Sequence, residues 1–377
     1  MKSLISKTLL LNLLIFCIPV KADSASDINF DLNNKITLNY IIDSQIKEQY
    51  PYSGLAIYLN QVQYYVIDSE SIIGLDRDST KETSLENNQW LAVSGRFNVL
   101  LIKSSGAKIS FDGNQQLSIK SDITTPIINV LNKTQMSDFA PELDQIRYNH
   151  LWKPFAIVAK ISESLLVFIK SSTSLSWGIV VMIFALLIKL ILLPVSIMTA
   201  KSQQRVSQIN SQLQPRLAEI KKKYKGEKAH HFSMKAHKDL GVSPFYALKP
   251  MLSFLIQIPI LIAIFNALGE MPQFLNQSFL WFSDLSQPDM LLPLGFNIPL
   301  LGEYFNLMPI IMTIITLTAT VLHKDKHASQ SDNKKQKTKL YLMSASFLIL
   351  FYPFPAVMVM YWAMANLLGF VQQKLLK

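Results

Sequence analysis

Cysteine is nearly absent: the chain of 377 residues contains one, Cys17, within an apolar stretch close to the N-terminus. Lys2 and Lys7 precede the apolar residues Thr8 to Val20, and Val20-Lys21-Ala22 offers a small-residue cleavage site. Residues 1–22 therefore read as an export signal, with an uncleaved first span as the alternative. Phe16 stands where a lipoprotein signal needs a small residue, which argues against lipidation of Cys17. A cleaved chain would hold no cysteine, which excludes a disulfide framework, thiol catalysis and a cysteine-based metal site. Charge is scarce as well, at 16% of residues against about 25% in ordinary soluble domains. Half the residues are hydrophobic, so the chain reads as a membrane protein with a soluble part. HExxH, GxGD and GxSG are missing, which weighs against an intramembrane enzyme. No internal repeat and no matched pair of interrupted helices appear, which weighs against a transporter. His230, His231 and His237 lie in a basic segment and His323 and His327 in another, where histidines are more often solvated than metal-bound. No metal and no cofactor are expected.

What charge there is falls unevenly. Residues 23–150 hold 16 acids and 10 bases, whereas residues 151–377 hold 10 acids and 23 bases. The first of these regions reads as β-rich. Apolar residues alternate at Ile36, Leu38, Tyr40 and Ile42 and again at Leu55, Ile57 and Leu59. Ile109 and Phe111, then Asp112-Gly113, then Leu117 and Ile119 give a hairpin signal. The expectation for 23–150 is a small exported β-sandwich without triad, metal spacing or phosphate loop, serving for packing or docking. Residues 151–176 follow, apolar on one side but carrying Lys153, Lys160, Glu163 and Lys170. Such a stretch suits an amphipathic helix lying in the membrane interface.

The remaining apolar segments are Trp177 to Met198, Phe245 to Leu268, Phe305 to Leu322, Leu340 to Tyr352 and Ala356 to Val371. Their orientation follows from the preference of cytoplasmic loops for Lys and Arg. Ten bases lie between the first two, and residues 269–303 carry Glu270, Asp284, Asp289 and Glu303 but no base. Lys324, Lys326, Lys334, Lys335, Lys337 and Lys339 follow, with Lys374 and Lys377 at the end. The first and third of these regions and the C-terminus are expected in the cytoplasm. Pro353-Phe354-Pro355 breaks the last pair into a hairpin. Its 34 residues, Leu340 to Gln373, give about 51 Å of helix at 1.5 Å per residue, against about 60 Å for two crossings of a ~30 Å core. The hairpin is short for its bilayer, which favours local thinning or a wet groove. Ala200 to Lys225 and Ala229 to Leu240 read as a cytoplasmic helical hairpin within residues 199–243, turning at Lys225-Gly226-Glu227.

Lys189 interrupts the first of these spans near its middle. A charge at that depth costs roughly 2.5–3.5 kcal/mol on insertion scales and normally faces a partner or a wet cavity. Snorkelling to the headgroups is the bland alternative.

The order of motifs is specific: Trp177-Gly178, Lys189 through Pro194, Gln214-Pro215, Lys222-Lys223-Tyr224, Gly241-Val242-Ser243-Pro244, Gln257-Ile258-Pro259-Ile260, then Tyr361-Trp362, Asn366 and Gln372-Gln373. Over about residues 150–377 the chain resembles the YidC membrane protein insertase family, as a short divergent paralogue. Around Trp90 to Phe97 the N-terminal region loosely resembles the exported sandwich of Gram-negative members. The resemblance implies a polytopic α-helical membrane protein of the bacterial inner membrane, with residues 177–377 forming a five-helix core around a hydrophilic groove. The resemblance further implies that this groove is open to cytoplasm and lipid and that the activity is that of an insertase and chaperone without a covalent catalytic step. Family members place an arginine where this sequence has Lys189, and lysine lacks the bidentate fork. By position Gln257, Trp362 and Asn366 join Lys189, and Thr313 and Thr316 add hydroxyls. Lys221, Lys222, Lys223 and Lys225 are the expected client or ribosome contact of the hairpin. The implied partners are nascent membrane-protein clients, the lipid bilayer, the Sec translocon and the ribosome, with no recognition of nucleic acid. Because no long basic tail follows Lys377, direct ribosome binding is expected to be modest. A transporter or channel with Lys189 lining a solute path is the alternative.

Overall fold

The computed structural model describes residues 38–78, 82–104, 106–112, 116–120, 127–299, 301–322 and 330–375. The expectations for residues 1–22, Ile36, Gly113, His323 and His327 lie outside the described residues.

The first half is built on strands β1 (Gln63–Ile67), β2 (Ile72–Gly74), β3 (Thr83–Ser84), β4 (Trp90–Ser94), β5 (Asn98–Lys103), β6 (Lys108–Phe111), β7 (Leu117–Lys120) and β8 (Ile127–Asn132). An antiparallel sheet of order β2-β1-β4-β5-β8 faces a smaller one of order β3-β6-β7. Side chains alternate across a strand, so Tyr64, Val66, Leu91, Val93, Leu100 and Ile102 meet Ile109, Leu117 and Ile119 between the sheets. Their neighbours Tyr65, Ile67, Ala92, Val99 and Leu101 pack on the other side beneath Met136, Leu143 and Ile146. Buried on both faces, β4 and β5 are continuous apolar runs rather than alternating ones.

Two expected strands are not strands. Leu38 to Ile46 is helical, first α and then π. Leu38, Ile42 and Ile46 enter the sandwich core from it, while Tyr40 stays exposed. Apolar residues four apart also satisfy a helix, and that period won because it buries three side chains on one core. Gly54–Asn60 is a 3₁₀-helix in which Ala56 and Leu59, three apart, are buried. Leu55 and Ile57 are left 62% and 59% exposed.

The second half contains α1 (Lys153–Ser171), α2 (Trp177–Ile191), α3 (Leu193–Lys223), α4 (Gly226–Asp239), α5 (Lys249–Glu270), α6 (Leu307–Leu322), α7 (Gln330–Phe351) and α8 (Ala356–Leu375). Helix α1 packs on α5 and α2, α8 packs on α2 and α6, and α6 also packs on α7. Val180, Phe184, Ile264, Met312, Val357 and Tyr361 share one core with Tyr52, Ala56 and Leu59 from the N-terminal half. Among the described residues no single helix is long and apolar enough to cross a membrane by itself. The pair α2 and α3 has the length and composition but is bent by 58°. The bend falls at Leu192 because Pro194, second in α3, lacks an N–H and crowds the carbonyl four residues back. Lys189 therefore lies in the last turn of α2 rather than near the middle of a straight span. Helix α1 also departs from expectation: Glu163 belongs to its buried face with Ala159 and Leu166, while Ile157, Ile161 and Phe168 are exposed.

One loop collects several helix ends. Phe274 stacks edge-on against Trp177 at 5.3 Å, and the ring of Phe279 occupies the space where a Cβ on Gly178 would stand, 2.1 Å away. The Asp289 Oδ2 atom accepts from the Met308 amide at 2.5 Å, near the N-terminus of α6, where a carboxylate is favoured. The first amides of α8, Ala356 and Val357, donate to the carbonyls of Gln287 and Leu285 at 2.7 and 3.1 Å. These orphan donors are thereby satisfied by backbone rather than by water. Replacing Gly178 by alanine is expected to destabilise this end by about 1–3 kcal/mol through overpacking against Phe279. A thermal melt of the detergent-solubilised variant that matches the parent would count against that contact.

Candidate functional site

Lys189 is carried by an apolar helix that packs on α8. Its Nζ atom lies 3.4 Å from the position a Cβ on Gly369 would take. The lysine is half-buried and, among the described residues, has neither hydrogen bond nor ion pair. Helices α2, α6 and α8 contain no Asp or Glu, so nothing on them neutralises the charge. Asn366 lies three residues before Gly369 and hence on the same side of α8. Its Nδ2 donates to Thr316 Oγ1 of α6 at 3.2 Å, and Thr316 also donates to the Met312 carbonyl at 2.9 Å. Lys189, Asn366 and Thr316 thus form a polar strip across three helices in an otherwise apolar bundle. A glycine at 369 leaves room for the ammonium. Gly369→Leu is expected to push Lys189 aside and weaken whatever the cation does, leaving expression and melting temperature nearly unchanged; equal activity of the two proteins would remove Gly369 from the site.

Other expected residues sit differently. Thr313 is buried, with its hydroxyl turned onto the Pro309 carbonyl at 2.8 Å. Gln257 is half-buried on α5 without a side-chain partner among the described residues. Trp362 stacks on Phe351 at 5.4 Å and meets Phe265 and Phe347 edge-on, so its contacts are those of an aromatic core beside the α7–α8 turn. Lys221, Lys222, Lys223 and Lys225 are all exposed where α3 gives way to α4. Tyr224 stacks on Phe232 at 4.5 Å behind them, and Gly226 turns the chain with φ +62°.

A residue outside the expected set holds the two halves together. Arg96 lies in the turn between β4 and β5, its side chain 1% exposed. Its Nε donates to the carbonyl of Gly269 at 2.7 Å and one terminal nitrogen to that of Ser286 at 2.9 Å. The other nitrogen reaches Glu48 Oε2 at 2.9 Å and the Tyr52 hydroxyl at 2.8 Å. Burial opposes the charge, but Tyr52 and Glu48 outweigh it and hold the guanidinium pKa above its ordinary value. Burial pushes the Tyr52 hydroxyl up, so it stays a neutral donor, and it donates to the Ser286 carbonyl at 2.8 Å. A second contact supports the first: Lys133 pairs with Glu270 at 3.0 Å, and His150 Nε2 lies 3.2 Å from the same carboxylate. On α1, Glu163 pairs with Arg147 and accepts from the Tyr148 hydroxyl at 2.7 Å. The one available signal for Arg96 was a lone cation between apolar strands, preceded by a glycine whose Cβ would fall 1.9 Å from the Ile46 carbonyl oxygen.

The family model described as 60Kd inner membrane protein matches residues 168–377, more than half the chain. The chain is 29% identical over 335 residues to a membrane protein insertase YidC of Pelodictyon phaeoclathratiforme, covering 80% of this chain and 55% of that protein. It is 34% identical over 200 residues to the membrane protein insertase YidC of Chlorobium limicola, covering 52% of this chain and 32% of that protein. The chain spans about half the length of the first of these relatives and a third of the second. A solved structure titled "Active YidC insertase crystal structure with the first transmembrane domain resolved" aligns with 83% of this chain and 70% of its own, at 21% identity and a TM-score of 0.41.

Proposed function

Because the chain belongs to the 60Kd inner membrane protein family, we propose that it inserts client proteins into the bacterial inner membrane through a groove lined by Lys189, Asn366 and Thr316. The observation that carries this reading is a cation on α2 beside a glycine of α8, with no acid on α2, α6 or α8. In a low-dielectric groove such a charge attracts an acidic or polar client segment strongly. The exposed lysines at the α3–α4 turn receive the client from the cytoplasm, with a ribosome or a Sec translocon as neighbours. Lys189 then draws its leading polar segment inward. The short α7–α8 pair thins the bilayer locally and shortens the crossing. The apolar span of the client leaves sideways into lipid, and burial of its surface supplies the free energy without nucleotide. In this reading α2 with the start of α3, α5, α6, α7 and α8 are the five core spans, residues 199–243 are cytoplasmic, and the β-rich half lies in the periplasm. Gln257 and Thr313 line the groove further along, and Trp362 closes its outer end.

The test is reconstitution of the purified protein into liposomes with a single-span client that has a short acidic N-terminal segment. Protease protection of that segment well above empty liposomes is expected. Protection no better than in empty liposomes, from a folded sample, removes the reading.

A further inference from the structure

The loop that collects the helix ends carries an element unrelated to the groove. Strands β9 (Leu292–Ile298) and β10 (Gly302–Phe305) form a two-stranded antiparallel ribbon just before α6. The apolar residues of β9 are Leu292, Leu294, Phe296 and Ile298, and Gly295, with φ +75°, breaks the regular pairing between them. Two of them are uncovered, Leu292 at 57% and Phe296 at 63% exposed, whereas Leu294 and Ile298 are half-buried. A two-stranded ribbon is marginal in water and needs its apolar face against something.

Both feet of the ribbon are fixed. The Met290 amide donates to the Asn306 side-chain oxygen at 2.9 Å, and Asn306 Nδ2 donates to the Tyr352 carbonyl at 2.8 Å, at the turn between α7 and α8. The ribbon thus rises from the same level as the first turns of α6 and α8. Residues 271–302 include no Lys or Arg, and their two acids are used inside the loop: Asp284 accepts from the Ser286 amide at 2.8 Å and Asp289 from Met308 at 2.5 Å. Strand β9 therefore carries no charge, and the ribbon's one charged side chain is the exposed Glu303 of β10. Leu280 and Trp281, exposed in the same loop, extend the apolar surface. The two outer edges of the ribbon retain unpaired backbone groups, which hydrocarbon does not tolerate and the headgroup region does. Aromatic side chains concentrate at that boundary.

From this placement we infer that the β9–β10 ribbon is a lipid anchor, seating Leu292 and Phe296 in the outer leaflet just below the headgroups. It rests on the reading above, in which α6 crosses the bilayer. The anchor fixes the height of α6 and α8 in the membrane independently of the groove.

The test uses the full chain in a Cys17→Ser background, with an environment-sensitive fluorophore on Phe296→Cys, Ile314→Cys of α6 or Ile73→Cys of β2, reconstituted into liposomes of brominated phosphatidylcholine. Ile314 and Ile73 are both exposed, the first on a proposed span and the second on the β-rich half. Expected are a blue-shifted spectrum and strong bromine quenching at positions 314 and 296, and neither at position 73. Quenching at 314 without quenching at 296 overturns the anchor and leaves the insertase reading standing, whereas absence of quenching at both overturns that reading itself. A blue shift at 296 without quenching means that a second copy covers the face, and quenching at 73 as strong as at 296 means general adsorption; either result also overturns the anchor. Leu292→Cys repeats the measurement on the other exposed apolar side chain of β9 if Phe296→Cys does not fold.

Discussion

Lys189→Ala is expected to abolish rescue of a bacterium depleted of its own insertase, whereas Lys189→Arg retains it. The expectation rests on an unneutralised cation beside Gly369, with no acid on α2, α6 or α8. Opposite charges about 4 Å apart at an effective dielectric near 20 interact by about 4 kcal/mol. Even a third of that, about 1.4 kcal/mol, is tenfold in a binding step. Arginine keeps the charge and adds a fork that grips carboxylates with two bonds. Alanine removes the charge without adding volume, so folding is expected to survive and a thermal melt of the same preparations separates loss of function from loss of fold. Undiminished growth with Lys189→Ala at normal protein level would place the cation outside the mechanism.

The largest structural effect is expected at Arg96. Arg96→Met leaves Glu48 buried without its partner, frees the Gly269 carbonyl and leaves that of Ser286 to Tyr52 alone. Breaking one side of a buried pair costs about 3–5 kcal/mol. Limited proteolysis is expected to cut between the β-rich half and α5 in the variant and not in the parent. Arg96→Lys rescues little, because an ammonium cannot span two carbonyls, a carboxylate and a phenol at once. The double variant Arg96→Met with Glu48→Gln recovers part of the loss by removing the stranded charge. Full stability of Arg96→Met would show that Lys133, Glu270 and His150 suffice to hold the halves together.

Much of the helical core was legible because its signals are chemical. Pro353 and Pro355 separate α7 from α8 and Gly241 stops the segment after α4, whereas the lysine runs around Lys222 and Lys335 lie on the ends of α3 and α7 and not in loops. The β-rich character of the first half was legible from β6 and β7, whose apolar residues alternate. Leu38 to Ile46 misled because residues spaced two apart include residues spaced four apart, and only the finished core chooses between them. Lys189 was conspicuous as a charge among apolar residues, but its place before a bend depended on how Pro194 distorts the backbone. Trp362 shows the limit for single residues: a tryptophan within about one turn of Asn366 suits a groove or an aromatic core equally, and its stacking on Phe351 was not legible in the sequence. Arg96 was hidden because its partners are carbonyls, which every residue has, at sequence separations of 173 and 190.

The capped loop has a mechanical meaning. With the starts of α2, α6 and α8 tied to one segment, the bundle behaves as a fan with its rivet at the outer end, and displacement grows with distance from the rivet. Lys189 stands 12 residues along α2 from Trp177, so its Cα lies about 18 Å out. At that radius a tilt of about 10° moves it by about 3 Å, roughly the width of a peptide chain's backbone. On the proposed reading, a small swing of α2 against α8 would open a passage at the Lys189 end while the tied end scarcely moves, and client size would then be set by angle rather than by a rigid aperture.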